Sequence, residues 1–332
     1  MRHGPVMIVL AGTAMMPSRA QKLSAAWSPE APVAFTLSMD GQPWLTSPGV
    51  FLDGSSSIDG GLVLTATVTS VGADALGEFE ATTHKWAFQA APQAEVFWTS
   101  LLTYAGDEGA LEFVQFFPEG LGQAEVGDLS ARSLFPAFHT TAAGPATACF
   151  AYHGTFPAME PCTLDTYAES HQGGSPFVLY DSVNTSLPMV VLSPLSSPKA
   201  QHMAVDKRAG VLGAGVKASA TAIPKGFTQT FLLSAGYGIG SGMEAWGERL
   251  RQVSGRPKAD KYLDVTHSSI GFWTDNGGYY HYSTGTNATA TYEEVANTVL
   301  LIDLSKFDSV VPKSLLFGTV TPAGAAEGEG VP

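Results

Sequence analysis

This chain is short of cysteine, of positive charge and of long hydrophobic runs, and each shortage closes off a class of function. Cys149 and Cys162 are its only cysteines. No CxxC occurs, and no two histidines fall at the spacing of HExxH, so a zinc site has no signature and no metal is expected. Lys and Arg total 17 against 30 Asp and Glu, a net charge of −13. A chain with that balance and no Lys/Arg cluster repels a phosphate backbone, which excludes nucleic acid as a partner. No later segment reaches the ~18 consecutive apolar residues of a membrane-spanning helix. The glycine-rich runs 210–215 and 236–240 match neither the dinucleotide fingerprint nor a P-loop, so no cofactor is expected. A GxSxG nucleophile elbow is also missing.

What is present is a core-forming composition. Hydrophobic residues make up 45% and charged residues only 14%, which argues against global disorder. Gly (36) and Pro (21) are plentiful, as in turn-rich β proteins. From about Ala31 to Ser234 short apolar or alternating runs are bounded by turn residues. They are 62–69, 95–104, 110–117, 147–152, 177–181, 189–192, 210–222 and 226–234. No long helical period interrupts them, so residues 25–240 read as a large antiparallel β-sandwich (a supersandwich).

The pattern changes at Gly240. Met243, Trp246, Leu250 and Val253 fall on one face of a helix, which Ser254-Gly255-Arg256-Pro257 stops. A linker helix is therefore expected within 241–260. Beyond it come an apolar strand at 269–273, a helix at 292–307 with Thr291 as N-cap, and another apolar run at 314–320. Residues 261–320 read as an incomplete βαβ series. The Gly/Ala/Glu/Pro-rich tail 321–332 reads as disordered.

The N-terminus has the three parts of a secretory signal: a short basic start, a mostly apolar stretch from Pro5 to Met16, and small residues at Ser18 and Ala20. A signal over 1–20 places the protein outside the cytosol, secreted or in a secretory or vacuolar-type lumen. In that setting Cys149 and Cys162 close a loop as one disulfide, or else stay as two buried thiols. Asn184 and Asn287 head sequons for glycosylation. The histidines are scattered, and those flanking the aromatic segment, His267 and His281, read as surface residues. The acidic pairs Asp165/Glu169 and Glu78/Glu80 read as solvated.

Chemistry concentrates between Ser268 and Tyr282. Asp275 and Asn276 offer hydrogen bonds to sugar hydroxyls, and Trp273 and Tyr279 offer ring faces to the apolar side of a pyranose. The competing readings are a plain turn for Asp275-Asn276-Gly277-Gly278 and core packing for the two aromatics.

The order of parts resembles the clan of retaining α-glycosidases that holds the α-galactosidases, raffinose-synthase-like proteins and α-glucosidases. The residues that carry it are Trp86, Val96-Phe97-Trp98-Thr99-Ser100, Phe116-Phe117-Pro118-Glu119-Gly120-Leu121, Phe135-Pro136-Ala137-Phe138 and Ile223-Pro224-Lys225-Gly226-Phe227. To these are added the Trp246-Gly247 helix and Gly271 to Tyr280. The resemblance implies an N-terminal β-sandwich followed by a (β/α)8 barrel, with Trp273, Asp275, Asn276 and Tyr279 in the first barrel strand and its loop. It also implies hydrolysis or transfer of α-linked sugars by a carboxylate pair about 5–5.5 Å apart. A whole barrel takes about 250 residues, and the chain from Ser268 holds about two βα units of ~30 residues. No acid matches either catalytic position of the clan, so the catalytic residues are unassigned. The expectation is a carbohydrate-active, glycoside-hydrolase-like protein with an incomplete barrel and a carbohydrate partner. The alternatives are a non-catalytic glycan-binding sandwich and a structural or interaction protein.

Overall fold

A computed structural model of the chain describes residues 22–28, 33–123, 131–140, 147–153, 158–163, 176–206 and 210–268. The strands, in chain order, begin with β1 (Leu23–Trp27), β2 (Phe35–Met39), β3 (Gln42–Ser47), β4 (Phe51–Leu52), β5 (Ser55–Ser56) and β6 (Leu62–Asp74). Next are β7 (Gly77–Phe88), β8 (Glu95–Tyr104), β9 (Ala110–Phe117), β10 (Ser133–Leu134), β11 (Ala137–His139) and β12 (Thr147–His153). The last are β13 (Ala158–Thr163), β14 (Phe177–Asp181), β15 (Pro188–Pro194), β16 (Gln201–Asp206), β17 (Val211–Val216) and β18 (Phe227–Tyr237). One helix, α1 (Ile239–Val253), follows them. No described helix is long and apolar enough to cross a membrane.

The described fold is mainly β, and its ladders are antiparallel. One sheet has nine strands in the order β13-β12-β14-β15-β18-β9-β8-β7-β6. Three small sheets, β1-β2-β3, β10-β4-β5 and β11-β17-β16, complete it. Strand periodicity explains how they stack. On β9, Leu111, Phe113 and Phe117 point to one face and are buried. The same alternation sends Phe97 and Leu101 of β8 and Phe231 and Leu233 of β18 to that face. Covering it are Phe35, Leu37 and Leu45 from the first small sheet and Met203, Leu212 and Val216 from the third.

Two features fix that packing. Phe113 sits among Phe35, Phe135 and Phe138 at centroid distances of 5.9, 5.5 and 6.2 Å. Beside it, Gln115 is fully buried and satisfied: its Nε2 donates to the carbonyls of Phe135 (2.7 Å) and Ala214 (3.0 Å), and its Oε1 accepts from Ser133 Oγ (2.5 Å). Ser133 Oγ in turn accepts from the Val216 amide at 3.1 Å. At the rim, Arg132 uses every N–H of its guanidinium. It holds Asp53 through two bonds of 2.8 and 2.6 Å and reaches the carbonyls of Ala220, Thr221 and Gly122.

Three expected strands, 95–104, 110–117 and 177–181, have the observed bounds. The run 62–69 extends to Asp74. The run 210–222 is a strand only through Val216, and a turn from Lys217 to Ala220 ends it. Strand β7 had no expectation at all, because Glu78, Glu80, His84 and Lys85 dilute its apolar alternation. The helix begins at Ile239, slightly before its expected start. Its stripe is realised through Met243, Trp246 and Leu250, whereas Val253 stays 36% exposed. Gly242 lets the helix sit close to the sheet, since an added Cβ would lie 2.3 Å from Met189 Sδ.

The chain divides into two compact units at Pro257/Lys258. In the second, the described residues form a 3-10 turn, Lys261–Leu263, and one helical turn, Val265–Ser268. No barrel strand is among the described residues, and the expected strands and helix from 269 onward lie outside them.

Phe113→Ala is expected to cost about 3–5 kcal/mol through lost burial and a residual cavity. Gln115→Leu, which keeps volume but orphans buried polar partners, is expected to cost about 1–3 kcal/mol. Urea denaturation midpoints at constant m-value check both.

Candidate functional site

The outer face of the large sheet is half covered. Trp246 and Leu250 of α1 pack on Leu102, Tyr104, Ala110 and Leu232, and Met243 and Trp246 pack on Val178, Met189 and Val191. Trp246 Nε1 donates to Ser193 Oγ at 2.8 Å. Arg249 fixes the helix by a two-pronged pair with Asp107 (2.6 and 2.5 Å) and a bond to Ser234 Oγ (2.6 Å). Burial alone would push the Asp107 carboxyl up; the hydrogen bond and charge of Arg249 outweigh it and hold the group below its ordinary value.

The rest of the face is an open cleft of about 490 Å³, within the ~300–1,000 Å³ usual for small-ligand sites. Pairing register builds it. Lys85, Trp98, Phe116 and Thr228 stand opposite one another across β7, β8, β9 and β18. Val68, Thr83, Ser100 and Val114 form the next row. Because the odd-numbered residues of β8 and β9 fill the core, Trp98 and Phe116 are left on the outer side, half-buried.

The floor is rigid. Trp98 Nε1 donates to Glu95 Oε2 at 3.1 Å, Phe116 packs on the indole at 5.2 Å, and Lys85 Nζ lies 4.0 Å from the ring centroid. Lys85 also pairs with Glu95 at 3.4 Å. The Thr83 and Ser100 hydroxyls share a hydrogen bond of 2.7 Å. Two aromatic rings, the Lys85 ammonium and the side chains of Thr83, Ser100 and Thr228 therefore line one cleft, and Glu95, outside the lining, balances the Lys85 charge. That set can hold a neutral ligand with an apolar face and many hydroxyls.

Beside the cleft, Glu112 stands between Leu102 and Leu232 and is only 7% exposed. Burial first, and then the charge of Asp74, push its carboxyl up to about 7, partly offset by a hydrogen bond with Tyr104. The Tyr104 hydroxyl donates to Asp74 Oδ2 at 2.7 Å. Burial, with the neighbouring Glu112 and Asp74, raises that phenol as well. On β16, His202 is fully buried and neither ring nitrogen has a partner among the described residues. Burial lowers it to about 4 against the opposing charge of Asp206. His84 lies in the core between Trp27 (4.5 Å) and Trp86 (6.2 Å).

Trp273, Asp275, Asn276, Tyr279 and Asn287 lie outside the described residues, as do Asp165, Glu169, His171 and His281. His267 is exposed, and so are Glu78 and Glu80. Cys149 is buried, and the β12–β13 register places it directly opposite Cys162. Asn184 sits on an exposed turn, its Oδ1 accepting from the Ser186 amide at 2.9 Å. The cleft residues were not anticipated as a site, although Trp98 and Phe116 belong to two of the resemblance motifs. The available signal was the Phe116-Phe117 pair. Adjacent strand residues face opposite sides, so one of the two rings had to leave the core. No protein-family model matches this chain, and no curated protein matches it.

The buried titratable groups predict opposite pH limbs. His202, depressed from 6.5 to about 4, contributes stability that is present above pH 6.5 and lost as pH falls through 4. Glu112, raised from 4.5 to about 7, contributes stability that is present below pH 4.5 and lost as pH rises through 7. Denaturation midpoints across that range are expected to lose the acid limb in His202→Leu and the upper limb in Glu112→Gln.

Proposed function

We propose that this chain is a carbohydrate-active protein that binds neutral glycan in the Trp98–Phe116 cleft. The observation that carries the reading is the cleft itself. Phe116 and the free part of the Trp98 indole offer apolar surface to the C–H side of a pyranose. Lys85 Nζ and the hydroxyls of Thr83, Ser100 and Thr228 offer donors and acceptors to its hydroxyls. Because Lys85 and Glu95 cancel, the cleft favours an uncharged ligand over a polyanion, in keeping with the net charge of −13.

The resemblance to the retaining α-glycosidase clan supports the same substrate class, α-linked gluco- or galacto-oligosaccharides. Turnover by a retaining mechanism needs two carboxylates about 5–5.5 Å apart, and no acid is among the described residues lining the cleft. The cleft therefore binds rather than cleaves. Trp273, Asp275, Asn276 and Tyr279 would add a second set of sugar contacts, and the catalytic residues stay unassigned.

Export belongs to the same reading: a signal over 1–20, a secretory or vacuolar-type lumen, glycosylation at the exposed Asn184 and at Asn287, and a Cys149–Cys162 disulfide. Directly opposed residues of an antiparallel pair have Cα atoms about 4.5–5.5 Å apart, inside the ~4.4–6.8 Å range of disulfides.

Calorimetric titration of the full chain with neutral α-linked oligosaccharides is expected to show binding that Trp98→Ala weakens about tenfold or more. No binding to any neutral glycan, or unchanged binding by Trp98→Ala, would overturn the reading. Intact mass after alkylation is expected to show no label at the cysteines until the protein is reduced.

A further inference from the structure

Strand β6 ends the nine-stranded sheet, and among the described residues nothing pairs with its outer edge. It is 13 residues long. Residues 67–71 are all exposed, with Val68 at 45% and Val71 at 83%. A free strand edge presents a row of unpaired N–H and C=O groups, and soluble proteins blunt such edges with shortness, charge, proline or bulges. The opposite edge of this sheet follows that rule: β13 is 6 residues long and carries Glu160 and Pro161. β6 does not. It has no proline and no charge before Asp74, and its one register irregularity, at Leu64/Ala66, leaves Ala66–Asp74 regular.

We propose that the β6 edge is a self-association surface whose partner is β6 of a second copy of this chain, paired antiparallel about a two-fold axis. Three observations select that occupant. First, the whole chain carries −13, yet Leu62–Ala73 is uncharged, so two copies meet there without opposing charges. Second, Asp74, Glu78 and Glu80 cluster at the β6–β7 hairpin end. Antiparallel pairing sets the two acidic ends far apart, whereas parallel pairing would set them side by side. Third, the exposed stretch 67–71 is made only of Thr, Ser and Val, uncharged throughout and rich in strand formers. Val68 and Val71 fall on opposite faces of the strand, so pairing covers an exposed apolar side chain on each face of the joined sheet. An isologous contact of this kind closes on itself. It is independent of the glycan reading, although Val68 also lines the cleft, so pairing extends the cleft floor toward the second copy.

Sedimentation equilibrium of the full chain over a wide concentration range is expected to show a monomer–dimer equilibrium. The double variant Val68→Lys/Val71→Lys is expected to raise the dissociation constant at least tenfold. Val183→Lys, at an apolar residue 74% exposed elsewhere, is expected to leave it unchanged. Hydrogen exchange on the unaltered protein gives a readout that needs no variant: β6 amide protection is expected to rise with protein concentration. A monomer at every concentration, a dimer that survives the double variant in its folded state, or β6 protection independent of concentration would each overturn the proposal.

Discussion

The inner face of β9 is the constraint on which the rest of this molecule depends. It presents Leu111, Phe113, Gln115 and Phe117 to the core, where residues of the small sheets meet it. Phe113 brings together the first small sheet, through Phe35, and the Phe135–Phe138 segment. Gln115 then makes the arrangement specific. A buried amide has to satisfy its donors and acceptor, and only one placement of Phe135, Ala214 and Ser133 does so. Apolar area supplies the drive to cover the sheet, and the amide selects the position of the cover.

That choice of inner face decides the outer one. With alternate residues committed to the core, Trp98 and Phe116 must project to the other side. Among the described residues only α1 covers that side, and it reaches only part of the way. Trp246, Leu250 and the Arg249–Asp107 pair hold the helix over one half. The other half stays open and keeps its aromatic floor. Glu112 lies at the boundary, buried among Leu102 and Leu232 and near the charge of Asp74, and these together hold its proton against the hydrogen bond with Tyr104. The cleft, the helix clamp and the raised carboxyl are three results of one incomplete cover.

Legibility followed physical locality. Strands β8, β9 and β14 were readable because each is apolar and bounded by turn residues. β7 was not, since a strand with one solvated face and several charged residues resembles a loop in composition. The α1 stripe was readable from its period, but its docking depends on Gly242 meeting Met189 and on Arg249 meeting Asp107, contacts between positions far apart in the chain. The anticipated sugar-contact residues cluster in sequence around Asp275, whereas the cleft residues come from β6, β7, β8, β9 and β18 and share no local motif.

The sequence by itself determined the class: mainly β, turn-rich, acidic, with an amphipathic helix directly after the strands. Those properties follow from composition and short periods, which act within a few residues. The tertiary structure alone decided that Lys85, Trp98 and Phe116 stand in one row, that Glu112 and His202 are buried, and that β6 is left as a bare edge among the described residues. Each of these depends on strand order and register, set by long-range burial of β9 and its neighbours rather than by any local preference.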